Sequence, residues 1–363
     1  MKRRLRRKRK SNQSKLMLSA LCLLLIMTVG YAAFQTSLNI TAKGNIKEKS
    51  RVIQSWTSNS QTDFHSDYYK ENIVSATFLD NNSVPSNATD SWDVSETKDK
   101  GVMAYVIPNN EDNAKYDLYI GAKGKVIANT DSSMLFGFFE NIKSIDFKDN
   151  FDTSKVTNMH DMFAYCTNLQ ELDLSSFDTT NVINMQAMFR GYLEKPMNIT
   201  KIIFGQNFKT NNVTDMRAMF GNCGNLTEVD VSGFDTSNVT DMHDMFSGCQ
   251  SITYVNISNF NTSKVTDMAG MFFNCNNIDN LDFANFNTSQ VTTMTNMFAH
   301  CFKLSSLNLC SFDTTKVTNF AHIFHGTAIL NKVTVGSNWI TTQADTTDMF
   351  AYSSVSEVTK GQC

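Results

Sequence analysis

At 363 residues the chain has room for two or more domains, but eight of its first ten residues are Lys or Arg and Lys15 is a ninth, which leaves 23 basic against 35 acidic residues in the remainder. A body of about −12 repels nucleic acid and anionic membrane, and so argues against either as a partner of residues 16–363. No nucleophile with a base, glycine-rich phosphate loop or zinc-type ligand spacing stands out, so no catalytic residue, metal site or cofactor is assigned.

The basic residues 1–15 read as a cytoplasmic n-region, and residues 16–34, LMLSALCLLLIMTVGYAAF, carry no charge. Small residues at Gly30 and Ala32 fit a secretory signal cleaved there, while 19 apolar residues also suffice for an uncleaved transmembrane anchor. Both readings place everything after Phe34 outside the cell. Any contact with membrane is through this segment alone. Residues 35–62 are polar and read as a linker.

Over 63–130 the pattern changes to short strands, SATFLD at 75–80, VMAYVI at 102–107 and YDLYIG at 116–121, with Pro108 and Asn109 opening a turn. Lying directly before a repeat region, this segment is expected to shield the open end of the repeat core as a capping module.

From Phe151 the chain says nearly the same thing again and again. FDTSNVTDMHDMFSGCQSITYVNISN from Phe234 is followed by close copies from Phe260 and Phe286, a period of 26 residues. A unit that short cannot enclose a core alone, so successive copies must cover one another. The consensus is F-D-T-S-x-V-T-D-M-x-x-M-F-x-x-C-x-x-L-x-x-L-D-L-S. Val239, Met242, Met245, Phe246 and Cys249 recur at steps of three, three, one and three, which predicts one turn of helix; the L-D-L portion predicts a strand with Leu inward. The expected fold class is therefore an α/β solenoid, a right-handed superhelix of leucine-rich-repeat type over 131–338. It has a strand-rich N-terminal cap, a C-terminal cap over 339–363 and an N-terminal signal or anchor helix.

Thirteen of the 19 Met fall in the two expected helical columns and read as core rather than as metal ligands. Cys166, Cys223, Cys249, Cys275 and Cys301 share one column. If neighbouring helical turns lie roughly 8–10 Å apart, these thiols are too distant to bridge and stay free. Cys310 and Cys363 are off the register, and both a bond between them and free thiols remain open. His322 and His325 lack a further ligand for a metal.

The outward residues of the strand column are the expected binding face, on the concave side. One position is almost uniformly acidic or amide, as in Asp173, Asp230, Asn256, Asp282 and Asn308, which suggests a structural ladder. Two places earlier the residue varies, as in Glu171, Glu228, Tyr254, Asn280 and Ser306, and a varied column is free to specify a partner. All ten are candidate contact residues.

The repeated V-T-D-M-x-x-M-F-x-x-C-x-x-L-x-x-L-D-L-S-x-F-D-T-S unit resembles the BspA-like leucine-rich-repeat surface proteins of bacteria. The likeness covers roughly residues 124–350, with SWDVSE at 91–96 and YDLYIG resembling the usual lead-in. It implies a cell-surface protein, in some members an adhesin for host matrix proteins or other bacteria, and supplies no catalytic residues. The expected function is protein recognition or adhesion at the bacterial surface, by a chain anchored through its N-terminus or secreted. The partner would be an extracellular or host matrix protein or a surface protein of another bacterium. One rival is a structural spacer or self-assembling element; another is an enzyme in residues 63–130, where His65 is the one candidate.

Overall fold

Twelve short strands and a single six-residue helix make up the regular structure of the described residues. A computed structural model describes residues 48–57, 61–361 and 363, and Ser50–Cys363 forms one unit. The expected signal or anchor over 16–34 lies outside the described residues. Among those described, no helix is long and apolar enough to cross a membrane.

Helix α1 spans Asp67–Asn72, with the Ser66 side chain accepting from the Tyr69 amide as its N-cap. It leads into β1 (Ile73–Leu79), followed by β2 (Asp90–Asp93), β3 (Val102–Pro108), β4 (Tyr116–Ala122) and β5 (Val126–Ile127). The repeats contribute β6 (Ser144–Asp146), β7 (Phe151–Asp152), β8 (Glu171–Leu174), β9 (Lys201–Phe204), β10 (Ser306–Leu309) and β11 (Lys332–Val335), and β12 (Thr359–Lys360) ends the chain. The stretches 75–80, 102–107 and 116–121 thus fall on β1, β3 and β4. The largest sheet has the order β2-β3-β4-β1-β6. β1 runs parallel to both β4 and β6, so the sheet built before the repeats continues directly into the first repeat strand.

The expected α/β leucine-rich-repeat superhelix does not form. No helix lies within the described repeat residues, and the strands fall into four small separate sheets. Where M-x-x-M-F-x-x-C was expected to be helical, the chain makes successive turns. Met245 N donates to Met242 O, Ser247 N to Asp244 O and Cys249 N to Phe246 O, all i to i−3. The amides in between leave the unit: Met242 N donates to Asp267 O, Asp244 N to Ala269 O, Phe246 N to Met271 O and Gly248 N to Phe273 O. Most units have two residues of positive φ, for example Asp244 at 56° and Gly248 at 71°, or Gly270 at 60° and Asn274 at 61°. A left-handed residue every fourth position ends any helix before it begins, and turns the intervening amides toward the next unit.

Stacking of units is fixed at four further places. A continuous run of parallel bridges links Asp131, Asn158, Asn184, Asp215, Asp241, Asp267, Thr293, Asn319 and Asp345. Inside, the Phe rings that follow the second Met stack face to face, with Phe220, Phe246 and Phe272 spaced 5.4 and 5.6 Å apart at 6° and 7° between planes. All twelve Met from Met159 to Met297 in the two inward columns are fully buried, which removes apolar area from water at ~25 cal/mol per Å². The Thr of each F-D-T is buried as well: Thr262 Oγ1 donates to Asn287 O and accepts from Asn287 N. Finally, each column thiol donates to a Phe carbonyl of the preceding unit, as Cys249 Sγ does to Phe220 O at 3.2 Å.

Candidate interaction surface

The alternation predicted for the L-D-L segment is present in the burial of its side chains. In β8, Leu172 and Leu174 are buried while Glu171 and Asp173 are exposed, and β10 repeats this with Leu307 and Leu309 inside and Ser306 and Asn308 outside. Residues 226–232, 252–258 and 278–284 follow the same pattern of burial but are not strands. Glu228, Asp230, Tyr254, Asn256, Asn280 and Asp282 therefore sit on extended segments without a full ladder between them. That is a further departure from the expected continuous strand face.

Nine of the ten candidate residues are exposed and Asn256 is half-buried. Their side chains behave in two ways. Each member of the acidic or amide column accepts from the backbone amide two residues on: Asp173 from Ser175, Asp230 from Ser232, Asn256 from Ser258, Asp282 from Ala284 and Asn308 from Cys310, at 2.8 to 3.2 Å. This Asx turn bends the chain out of the strand segment, which is a role within the unit. The hydrogen bonds from Ser232 hold the Asp230 carboxyl below the usual carboxylate range. Glu171, Glu228, Tyr254, Asn280 and Ser306, by contrast, make no side-chain hydrogen bond or ion pair among the described residues. Glu171 stands opposite Lys201 in the register of β8 and β9, and Tyr254 leaves 53% of its surface open.

A second ordered set lies where the parallel bridges run. Asp215, Asp241 and Asp267 are successive members of that column, and Arg217 bonds to Asp215 at 2.8 Å and lies 3.4 Å from Asp241. Burial pushes the Asp241 carboxyl up, and the neighbouring carboxylates add to this. Arg217 thus relieves a stack of like charges, a structural duty. No group of three or more His, Cys, Asp or Glu among the described residues is placed to hold a metal.

His65 is buried against Trp56, with ring centroids 4.2 Å apart. Its Nδ1 lies 3.2 Å from Asp63 Oδ1 and its Nε2 2.9 Å from Leu135 O, so both ring nitrogens are engaged. The second bond fastens the segment before α1 to the first turn unit. Burial drives the His65 pKa down against the opposing pull of Asp63.

The thiols of Cys166, Cys223, Cys249, Cys275 and Cys301 are free and buried. The reason differs from the spacing expected: units joined by a parallel ladder lie about 4.8 Å apart, within reach of a bridge. Each sulfur instead points at a Phe carbonyl, and burial raises the Cys249 and Cys301 thiols to about 12. Cys310 and Cys363 are joined in a disulfide that ties the end of the chain back beside β10.

Turn-and-strand units copied at a fixed period and stacked by backbone hydrogen bonds make this a repeat protein. The chain belongs to the family described as "Mycoplasma protein of unknown function, DUF285", which matches residues 130–254, 194–300 and 249–360. No curated protein and no solved structure matches it.

Proposed function

We propose that this chain is an exported bacterial surface protein that recognises a protein partner through the exposed column of Glu171, Glu228, Tyr254, Asn280 and Ser306. The partner would be an extracellular or host matrix protein or a surface protein of another bacterium, with the chain secreted or held at the membrane by residues 16–34. One observation carries the reading: the neighbouring Asp and Asn column is occupied in forming turns, whereas the varied column has no partner among the described residues. Side chains that differ from unit to unit and do nothing for the unit are available for another surface. The sequence resemblance to BspA-like proteins supports the surface setting. A spacer predicts interchangeable outward residues, and Tyr254 among acidic and amide neighbours departs from that.

The test is binding of the purified chain to a panel of matrix proteins and bacterial surface proteins, beside a variant in which Glu171, Glu228, Tyr254, Asn280 and Ser306 are all replaced by Ala. Loss of binding with an unchanged thermal midpoint supports the reading. Undiminished binding by the variant places the contact elsewhere, and no binding across the panel favours the spacer.

A further inference from the structure

A cleft of ≈ 600 Å³ lies between α1 and the first turn units, a volume suited to a small ligand. One wall presents Lys70, which is 9% exposed. Its ammonium makes no hydrogen bond or ion pair among the described residues, and the charges acting on it come from Asp67 and Asp63 at a distance. Burial pulls Lys70 below the ordinary lysine range, so an anion arriving beside it would restore what desolvation removes.

The other wall is aromatic. Phe138, Tyr165 and Tyr192 form a row, with centroids 4.7 Å and then 4.4 Å apart, and Phe138 and Tyr192 face the cleft. Tyr192 Oη donates to Glu140 Oε1 at 3.0 Å, and Lys195 Nζ to Glu140 Oε2 at 2.5 Å. This fixes the carboxylate at the mouth while leaving it lone pairs for further donors. Phe138 and Tyr165 have φ of 70° and 63° at a position where other units place Asn222, Gly248, Asn274 and Gly326, and where His300 and Tyr352 are left-handed as well. Bulky rings are held there in a conformation that Asn and Gly adopt with less strain.

We propose that this cleft binds a sugar ring carrying a carboxylate. The apolar face of the ring lies on Phe138 and Tyr192, hydroxyls donate to Glu140, and the carboxylate accepts from Lys70 in a charge-assisted hydrogen bond. A neutral sugar leaves Lys70 unpartnered, and a carboxylate without a ring leaves the aromatic wall uncovered. The site is separate from the Tyr254 column, so failure of either reading leaves the other standing.

Saturation-transfer NMR titrations of the full chain with N-acetylneuraminic acid and glucuronic acid, beside glucose, mannose and glutarate, test the proposal. At least one acidic sugar should bind ten-fold or more tighter than the neutral sugars and than glutarate. Lys70→Met should remove that advantage and Lys70→Arg should retain most of it. Tyr192→Ala, on the opposite wall, should weaken acidic sugars at least five-fold and serves alone if Lys70→Met does not fold. Equal binding of acidic and neutral sugars, binding of glutarate as tight as that of the sugars, no binding of either acidic sugar at millimolar concentration, or full acidic-sugar binding by Lys70→Met or Tyr192→Ala would each overturn it.

Discussion

Thr262 and Asn287 hold each other twice, the threonine hydroxyl donating to the asparagine carbonyl at 3.0 Å and accepting from its amide at 2.8 Å. The same two-way clasp recurs between Thr153 and Asp178, Thr179 and Lys209, Thr236 and Asn261, and Thr288 and Asp313. One buried hydroxyl therefore satisfies a donor and an acceptor of the next unit. Thr262→Val keeps the shape and strands both, for an expected cost of about 1–3 kcal/mol. Thr262→Ser loses one methyl, ~0.8 kcal/mol. Chemical denaturation of the two variants separates these; equal losses would show that the clasp contributes nothing.

Replacing a core ring by a charge tests the stack. Phe246 lies between Phe220 and Phe272 with no exposed surface. Phe246→Asp or Met245→Asp buries a charge without a partner, at several kcal/mol, and should lower the thermal midpoint and unfold neighbouring units with it. An unchanged sharp transition in either variant would sink this account.

Alkylation reads the thiols. Apart from Cys22, which lies outside the described residues, the five column thiols should resist iodoacetamide at pH 8 in the native chain, because burial keeps the thiolate scarce. After denaturation without reductant all five should react, and Cys310 and Cys363 should react only once reduced. Intact mass counts the additions, and two or more bridges among the five would refute the assignment.

Acid should loosen the contact between the segment before α1 and the first unit. The folded His65 pKa is depressed, chiefly by burial, so the unfolded chain takes up a proton that the folded one refuses. The contribution is complete above pH ~6.5 and declines as pH falls toward the folded value. Burial alone would raise Asp63, but its bonds from His65 and Trp56 bring it below its ordinary value, and that contribution is lost at still lower pH. His65→Gln should flatten the fall of thermal midpoint between pH 7 and 5. A slope equal to that of the parent chain would remove His65 from the explanation.

Tyr254 is the expected centre of the recognition column. A tyrosine buries a large area with little rotamer entropy, so Tyr254→Ala should weaken the partner identified in the binding panel by on the order of 2 kcal/mol, roughly thirty-fold. If that partner is basic, the flanking Glu228 makes association slow with added salt. Surface plasmon resonance at two ionic strengths measures both effects, and an unchanged affinity would move the contact centre away from Tyr254.

Much of this molecule was legible before any coordinates. The 26-residue period, the inward Met, Phe and Leu columns and the outward L-D-L residues all follow from spacing, since a buried position must recur when a unit is copied. The helix expected for M-x-x-M-F-x-x-C was wrong because steps of three suit a chain of turns as well as a helix. A signal lay in some copies of the columns between, Asp161, Asp244, Gly270 and Asn296 in one and Asn222, Gly248, Asn274 and Gly326 in the other, residue types that tolerate positive φ, while Met134, Ala187, Ala218, Phe138 and Tyr165 in the same columns gave no such mark. The two-residue spacing from Asp230 to Ser232 likewise marked an Asx turn, which would have withdrawn the uniform column from the binding face. Helix α1 and the parallel pairing of β1 with β6 gave no comparable local signature, because both depend on partners distant in sequence.

The amides of Met242, Asp244, Phe246 and Gly248 all reach forward to the following unit, as do their counterparts in other copies. At this edge each unit therefore presents donors ahead and acceptors behind, and the backbone contact is the same from copy to copy. Duplicating or deleting one copy of the gene segment leaves this backbone contact unchanged and shifts the far end by about 4.8 Å. Reach is thus a quantity that recombination can adjust in small equal steps while sequence drift in the varied column proceeds separately.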